Sequence, residues 1–331
     1  MRPRDRPGNP NERGAALLSV LILVGILGAL AVAVFDRLRL ATTLAGNSAG
    51  IAEARAYAGI AEILVATRIG DLAAADATRT TLAGGWQDRP TTLPLPNGTA
   101  EVRVRDGGNC FNLNSLVAGS AEALVARPIA VDQFARLMTL LSIPEGQARR
   151  IAAASADWID SNGDAYPDGA EDSVYARAAV PYRTANTLMV EASEWRAVSG
   201  VTPDVYARIR PWLCALPLAD LSPLNVNTLL PDQAPLLAML FPGTLGIPAA
   251  RRIIAERPGA GWPNIGAFWN TEALRGIDPP TDALRQPQVR TAWFAVDMQV
   301  RAGEGELRET ALFDARQRSV RIATRRWTRD E

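Results

Sequence analysis

The sequence contains no histidine and no lysine, and only two of its 331 residues are cysteines. The absence of histidine excludes a Ser-His-Asp triad and any zinc site with imidazole ligands. The 35 basic residues are balanced by 35 acidic ones, whereas proteins that bind nucleic acid carry an excess of positive charge. No nucleophile with a neighbouring base stands out, and we predict that the protein is not an enzyme.

The most informative feature that is present is an uncharged run near the N-terminus. Ala15 to Phe35 is a stretch of 21 residues without a charge. At ~1.5 Å per residue, a helix of this length spans roughly 30 Å, the thickness of the hydrocarbon core of a bilayer. Apolar residues then recur at helical spacing to about Ile69. We therefore predict one long helix over residues 15–70, in which residues 15–35 span a membrane.

Three kinds of N-terminal segment are compatible with this run. A secretory signal peptide would be cut beyond its apolar stretch, near Ala33, but such stretches are only ~7–15 residues long. An uncleaved signal anchor fits the length. The third kind is the leader of type IV prepilins, which is removed on the N-terminal side of the helix, and the charged segment that ends in Gly14 before Ala15 resembles it. We favour this alternative and predict that residues 1–14 are cleaved off after Gly14.

The leader also indicates how the chain is oriented. It carries arginines at positions 2, 4, 6 and 13. Positive charge next to a membrane span favours the cytoplasmic side. We therefore predict a single-pass protein of the inner membrane whose C-terminal part, beyond Phe35, lies in the periplasm.

Ser19 departs from the pilin pattern, in which the fifth residue after the cut is usually glutamate. A charge inside the membrane costs ~2.5–3.5 kcal/mol even on the most lenient scale, so it needs a partner. In pilins that partner is the N-terminal amine of the subunit above. Ser19 has no charge to neutralise, and this predicts a position at the tip of a filament, with no subunit above.

Hydrophobic periodicity divides the rest of the chain. Thr99–Arg105 and the residues after Thr291 alternate between apolar and polar, as half-buried strands do, whereas the part between them shows helical periods. We predict a small antiparallel sheet domain from residues 71–127 and 288–331, interrupted by a mainly α-helical domain over residues 128–287. The predicted helices are Val131–Leu141, Glu145–Ile159, Ala192–Val198, Pro203–Leu216, Pro231–Leu240, Pro248–Arg257 and Asn264–Trp269, and the predicted strands are Thr99–Arg105, Trp293–Val300, Glu306–Ala311 and Ser319–Trp327.

An acidic loop in the helical part has the spacing of an EF-hand calcium loop. If Asp160 is position 1, oxygen-bearing residues occupy positions 1, 3, 5, 7, 9 and 12. Ala165 replaces the usual turn glycine, so we expect Gly163 and Gly169 to supply the bends. We predict a Ca²⁺ site, with a solvated acidic loop or catalytic carboxylates as the alternatives. The candidate ligands are Asp160, Asn162, Asp164, Tyr166 through its carbonyl, Asp168 and Glu171, with Asp172 adjacent.

Other segments resemble helix-hairpin-helix units, which hold phosphate with loop amides and basic side chains. Gly246–Arg257 is the nearest match, and Arg251, Arg252 and Arg257 could contact a nucleic acid. The acidic loop, the balanced charge and the predicted export argue instead for a compact helical scaffold.

The two cysteines, Cys110 and Cys214, lie after a predicted strand and at the end of a predicted helix. In an exported chain an even number of cysteines indicates a disulfide, so we predict a Cys110–Cys214 bond. Two buried free thiols are the alternative.

Several short segments together resemble the minor pseudopilin K family (GspK) of type II secretion systems. The matching segments, which occur in order over the whole chain, are Ala15–Ser19, Cys110–Leu116, Asp157–Asp160, Gly169–Asp172, Tyr182–Asn186 and Leu224–Thr228. The resemblance implies an α+β, type IV pilin-like fold, with a long N-terminal transmembrane helix, a small antiparallel sheet and a large inserted α-helical domain that holds calcium. It also implies cleavage and N-methylation at Ala15 by the prepilin peptidase.

The resemblance implies a structural role as well. The subunit would nucleate and cap the tip of the periplasmic pseudopilus together with minor pseudopilins I and J. The alternative is a minor pilin of a DNA-uptake system that binds DNA through the hairpin-like units. A membrane-anchored periplasmic hydrolase is a third alternative.

Overall fold

The computed structural model describes residues 10–277, 280–303, 305–317 and 319–328, and of residues 10–14 and 16 it describes the backbone alone. The predicted long helix is confirmed as α1, Pro10–Ala75. It begins five residues before the predicted start, so Gly14 lies inside the helix, and residues 1–9 of the predicted leader lie outside the described residues. The helix is long and apolar enough to cross a membrane, with a mean hydropathy of 2.9 over its most apolar stretch.

Helix α1 has a bare half and a packed half. From Leu17 to Ala49 its described side chains are exposed. From Gly50 onward one face packs on a sheet through Ala54, Ala58, Ala61, Val65 and Ile69. The carbonyl of Gly50 lies so close to Gly305 that a Cβ at position 305 would collide with it. Glycine at 305 therefore lets the helix and the sheet approach each other where the packed half begins.

The sheet under α1 is antiparallel. Its strands are β1 (Thr91–Leu95), β2 (Gly98–Asp106), β9 (Trp293–Ala302), β10 (Gly305–Asp314) and β11 (Arg321–Thr328). Within the described residues they lie in the order β1-β2-β9-β10-β11. Alternate residues of the central strands face α1 and are buried, as the predicted period of two requires. β1 was not predicted, and it tolerates Pro94 because it is an edge strand.

A second, larger core is formed by residues 107–290. Phe134 stacks on Phe111 at 4.6 Å between ring centroids and meets Trp195 edge-on at 5.6 Å. The helices of this core are α2 (Pro128–Leu140), α3 (Glu145–Ile159), α4 (Asp172–Tyr175), α5 (Pro203–Ile209), α6 (Ala234–Ala238), α7 (Ile247–Ala255) and α8 (Ile265–Trp269). Its short strands are β3 (Phe111–Asn112), β4 (Val117–Ser120), β5 (Ala123–Ala126), β6 (Leu213–Cys214), β7 (Leu224–Asn225) and β8 (Pro287–Gln288).

The second core differs from the prediction in several places, of which three change its outline. Residues 107–126 are not strands of the five-stranded sheet, although the Gly107 amide still donates to the Trp293 carbonyl, and from Phe111 onward they pack with the helices, so the inserted domain starts earlier than Pro128. Residues 192–197 form a 3₁₀ helix. The predicted helix Pro203–Leu216 ends at Ile209 and passes through a 3₁₀ turn into β6, because Pro211 cannot donate the backbone hydrogen bond that a longer helix requires.

Candidate functional site

The two cores are joined at a buried carboxylate, Asp106, the last residue of β2. Its oxygens accept hydrogen bonds from the Thr228 hydroxyl at 2.6 Å, from the Thr291 hydroxyl, and from the Gly108 amide at 2.9 Å. Burial raises the pKa of Asp106, and these hydrogen bonds oppose the rise. The three donors come from three segments far apart in the chain, so Asp106 fixes the point where the inserted domain leaves and rejoins the sheet.

Asn225 extends this joint to the segment after α1. Its side-chain amide donates to the Thr80 carbonyl at 3.1 Å and to the Thr291 hydroxyl at 2.9 Å, and its side-chain oxygen accepts from the Asn227 amide at 2.9 Å. Its own backbone amide donates to the side chain of Asn109. These residues are all buried. Every polar group of the Asn225 side chain therefore has a partner, as burial demands.

Asn112 and Asn114 make a similar set of bonds inside the inserted domain. The Asn112 side chain donates to the carbonyls of Leu218 and Asp220. Asn114 exchanges hydrogen bonds with the backbone of Met189 at 2.8 and 2.9 Å. The segments Cys110–Leu116 and Leu224–Thr228 both carry alternating asparagines in apolar surroundings. This pattern indicates buried backbone groups that need side-chain hydrogen-bond partners, and the sequence analysis did not infer it.

The predicted disulfide is present. Cys110 and Cys214 are bonded, with 5.8 Å between their Cα atoms and a sequence separation of 104. Beside the bond, Phe111–Asn112 pairs with Leu213–Cys214 as parallel strands. The bond thus fastens the start of the inserted domain to the segment that follows α5.

The acidic loop between α3 and α4 is organised by a carboxylate that the EF-hand count left out. Asp157 is completely buried in the last turn of α3 and accepts hydrogen bonds from the amides of Tyr166 at 2.9 Å and Ala170 at 2.6 Å. A Cβ at position 169 would collide with this carboxylate, so glycine is required there. Asp168, and not the predicted Gly163 or Gly169, takes the left-handed backbone conformation, with φ 66°.

Two of the predicted ligands, Asp160 and Glu171, lie in the interior next to Asp157. They are 1% and 7% exposed, and each has a buried carboxylate oxygen without a hydrogen-bond partner among the described residues. Burial raises the pKa of Asp160 to about 6 and that of Glu171 to about 7, and the charge on Asp157 adds to both shifts. Three carboxyl groups thus lie close together where water solvates them poorly, and a bound cation would neutralise their negative charge.

The other predicted ligands lie on the outer side of the loop. Asn162 donates to Asp160 at 2.8 Å and accepts from the Asp164 amide at 2.7 Å. The Tyr166 carbonyl accepts from the Gly169 amide at 2.7 Å. Asp164 and Asp168 are exposed. Within the described part of the chain, no group of three or more acidic, cysteine or histidine side chains is already arranged around a common metal position.

Asp172, which the prediction placed next to the site, is bonded elsewhere. One of its oxygens accepts from both the amide and the hydroxyl of Thr184 at 3.0 Å. These hydrogen bonds lower the pKa of Asp172. The Asp172 side chain therefore links the end of the acidic loop to Thr184, and this oxygen is not directed at Asp160 or Glu171.

Two of the three arginines of the hairpin-like segment, Arg251 and Arg257, interact with neighbouring groups of the protein, and the third, Arg252, is exposed. Arg257 is half-buried and donates to the carbonyls of Val226 and Leu229 at 3.2 and 2.7 Å. Arg251 lies 3.9 Å from Asp232. The guanidinium of Arg257 thus supports the loop after β7, and the charge of Arg251 is offset by an acidic neighbour.

In the membrane-spanning part of α1, the Ser19 hydroxyl donates to the carbonyl of Ala15 at 2.9 Å. This bond satisfies the only polar group of the side chain within its own helix, so Ser19 needs no partner from another subunit. Gly14, the predicted last residue of the leader, is described only by its backbone.

Two family models described as Type II secretion system (T2SS), protein K match residues 109–218 and 224–290. The chain is 33% identical to the type II secretion system protein K of Pectobacterium carotovorum subsp. carotovorum over 325 residues, or 96% of each chain. It is 31% identical to that of Klebsiella pneumoniae, over 98% of this chain and 100% of the relative. A solved GspK-GspI-GspJ complex from the type 2 secretion system of enterotoxigenic Escherichia coli matches with a TM-score of 0.73 and 28% identity, covering 84% of this chain and 96% of that one.

The joint between the two cores gives a prediction about stability. Replacing Asn225 by alanine leaves the Thr80 carbonyl and the Asn227 amide buried without partners, at a cost of about 1–3 kcal/mol for each group. We expect Asn225→Ala to lower the free energy of unfolding of the full chain in detergent, measured by chemical denaturation. Asn270→Ala is the control, since Asn270 is exposed, and it should leave the midpoint unchanged. Equal midpoints for the two variants would contradict the role of the joint.

Proposed function

The chain belongs to the type II secretion system protein K family, and on this premise we propose that it is a minor pseudopilin that nucleates and caps the tip of a periplasmic pseudopilus. In this role it supports protein export as a structural subunit and not as an enzyme. The observation that carries the proposal is the position of the inserted domain relative to the membrane helix.

The strand register gives that position. Gly98 pairs with Ala302 at one end of β2, and Asp106 pairs with Phe294 at the other. The first end lies beside Gly305 and so beside Gly50, where α1 leaves the sheet toward the membrane. The second end carries the joint. Eight residues of strand separate the two ends by about 25 Å.

The inserted domain therefore projects from the end of the sheet that is farthest from the membrane segment. A further pilin-like subunit stacked above this one would need the space that the inserted domain fills. The position of the domain thus supports a place at the tip, where no subunit follows. Ser19 supports the same place, because its hydroxyl is already bonded to Ala15 and requires no amine from a neighbouring subunit.

Helix α1 offers the surface for lateral assembly. Beyond the membrane segment, Ile60, Ile63 and Leu64 remain 44%, 68% and 42% exposed on the side away from the sheet. An apolar stripe on a helix that continues into the membrane fits a partner with a similar helix. The related structure is a complex of protein K with GspI and GspJ, and we propose that minor pseudopilins I and J are the partners here, along the part of α1 from Ala41 to Ile69.

We further propose that the prepilin peptidase cleaves the chain after Gly14 and methylates the new N-terminus at Ala15. The arginines at positions 2, 4, 6 and 13 would hold the leader in the cytoplasm, and the domain beyond Phe35 would then lie in the periplasm. The uncharged helix that follows Gly14 supports a cut on its N-terminal side.

We also propose that the acidic loop binds Ca²⁺. The unpartnered buried oxygens of Asp160 and Glu171 support this, because a cation would supply the charge that they lack. Oxygen ligands without histidine or thiolate favour Ca²⁺ over transition metals. Asn162, Asp164, Asp168 and the Tyr166 carbonyl would complete the coordination as the loop closes, and the hydrogen-bonded oxygens among them retain a second lone pair.

The tip assignment is tested by site-specific photocrosslinking in membranes. A crosslinker at Ile63 should capture two smaller pseudopilins, because Ile63 is the most exposed residue of the lateral stripe. A crosslinker at Arg252, on the exposed face of α7, should not capture the subunit of the filament shaft. Crosslinks to the shaft subunit at Arg252, or a Ser19→Glu variant that assembles better than the parent, would overturn the assignment.

Cleavage is tested by intact mass and N-terminal sequencing of the protein purified from membranes. We expect a mature chain that starts at methylated Ala15. Gly14→Leu should leave the precursor uncut, whereas Gly25→Leu, inside the membrane helix with open space around it, should not affect processing. A mature N-terminus near Ala33, or no cleavage at all, would refute the proposal.

Calcium binding is tested by thermal unfolding of the full chain in detergent. A ligand that binds only the folded state stabilises it by about 2.7 kcal/mol at a hundredfold excess over Kd. Chelation should therefore lower Tm, and the double variant Asp160→Asn and Glu171→Gln should remove this response.

The matched control for the calcium experiment is Asp204→Asn with Glu272→Gln. It neutralises two exposed acids of the same domain and should keep the response. A Tm that does not depend on Ca²⁺ in the unmodified protein would show that the loop is simply an acidic loop.

A further inference from the structure

A second pair of buried carboxyl groups lies between α1 and the sheet, away from the acidic loop. Glu309 of β10 is 1% exposed and Glu62 of α1 is 8% exposed. One oxygen of Glu309 accepts a hydrogen bond from the Trp327 indole at 2.8 Å, and the other has no donor among the described residues. Glu62 accepts from the Arg325 guanidinium at 2.7 Å.

The two carboxyl groups are neighbours, because Arg325 and Trp327, which bind Glu62 and Glu309 respectively, lie two residues apart on the same face of β11. A hydrogen bond with Glu62 accordingly contributes to the raised pKa of Glu309. Two ionised carboxylates can only accept hydrogen bonds, so a bond between them requires a proton on one of the two. Without that proton, two negative charges would face each other in a volume closed to water, which is strongly unfavourable.

The surrounding groups show which carboxyl carries the proton. Arg325 of β11 makes its ion pair with Glu62. Among the described residues, the one hydrogen-bond donor to Glu309 is the neutral indole of Trp327, and Arg325 opposes the rise in the pKa of Glu309 only through its charge. The second arginine nearby, Arg55 of α1, stacks on Trp327 with its guanidinium carbon 5.2 Å from the ring centre.

Three further residues next to Glu309 are apolar. On β9, which pairs with the other side of β10, Met298 stands opposite Glu309. Leu307 and Ala311, two residues away on the same face of β10, are buried and apolar. Burial, followed by the interaction with Glu62, raises the pKa of Glu309 to about 8.

We propose that Glu309 carries a proton that it donates to Glu62, and that this shared proton makes the attachment of α1 to the sheet sensitive to pH. The proton holds the packed half of α1, between Gly50 and Ala75, against β10. Loss of the proton places two carboxylates in contact at this interface and weakens it. This pH sensitivity does not depend on the proposed position at the filament tip or on calcium binding.

The sign follows from the two pKa values. In the unfolded chain a glutamate titrates at its ordinary value of 4.5, whereas Glu309 titrates at about 8 when folded. The folded state therefore binds one more proton between these values. The stabilisation is complete below the unfolded pKa and is lost as the pH rises through the folded one.

The first test is thermal unfolding of the full chain in lipid nanodiscs between about pH 6 and about pH 9, with chelator present throughout so that bound calcium does not contribute. The Tm of the unmodified protein should fall by several degrees over this range. Glu309→Gln keeps the shape and a donor for Glu62 but has no proton to lose, so its Tm should fall by less. The control, Glu101→Gln on the outer face of β2, should show the full decrease.

The second test is infrared spectroscopy of the same samples at neutral pH. The unmodified protein and Glu101→Gln should show the carbonyl band of a protonated carboxyl group. Glu309→Gln should show a weaker band, because Asp160 and Glu171, whose pKa values are also raised, contribute to it as well. Glu62→Gln removes the facing charge and should shift the loss of the Glu309 contribution to lower pH. The proposal is overturned if the band of Glu309→Gln is as intense as that of the unmodified protein, or if Glu309→Gln and the unmodified protein lose the same number of degrees of Tm.

Discussion

The architecture depends on one buried carboxylate, Asp106, and on the hydroxyls of Thr228 and Thr291 that bind it. The chain passes from the sheet into the inserted domain after β2 and returns before β9, and Asp106 accepts hydrogen bonds from residues at both of these points. A buried carboxylate does not tolerate loose partners, because any donor that leaves exposes an unpaired charge to the interior. The joint therefore holds the inserted domain at a defined place, and the asparagines around it extend this constraint to the start of the domain and to the end of α1.

The position of the inserted domain matters because the two halves of α1 differ, one half being exposed and apolar and the other packed on the sheet. The described side chains of its bare half are exposed, and its packed half lies on the sheet from Gly50 onward. Because α1 is one continuous helix, it fixes the distance between its membrane segment and the far end of the sheet. Since the joint lies at that far end, the inserted domain and the membrane segment occupy opposite ends of the protein, which suits a subunit that ends a filament.

Periodicity was sufficient to predict α1, α2, α3 and the four longer strands, because each buries one face along a regular element. It failed where side chains and not periodicity decide the structure. Strand β1 is short and contains Pro94, and residues 107–126 join the second core through asparagine bonds that no period reveals. In the acidic loop, spacing identified Asp160 and Glu171. It missed Asp157, because the calcium-loop count begins three residues later and says nothing about which carboxylate is buried against the backbone amides.

The buried carboxyl groups of this protein differ in what offsets their charge, and the differences distinguish the structural groups from those that we propose to bind a cation. Asp106 has two hydroxyls and an amide, Asp157 has two amides, and Glu62 has an arginine. Glu309 keeps its proton, since only an indole donates to it. Asp160 accepts a hydrogen bond from the side-chain amide of Asn162, and Glu171 retains an unpartnered buried oxygen. Both lie beside Asp157, at the edge of a loop whose Asp164 and Asp168 are exposed. These differences are the reason why we propose a proton for the enclosed pair of Glu62 and Glu309 and a cation for the carboxyl groups of the loop.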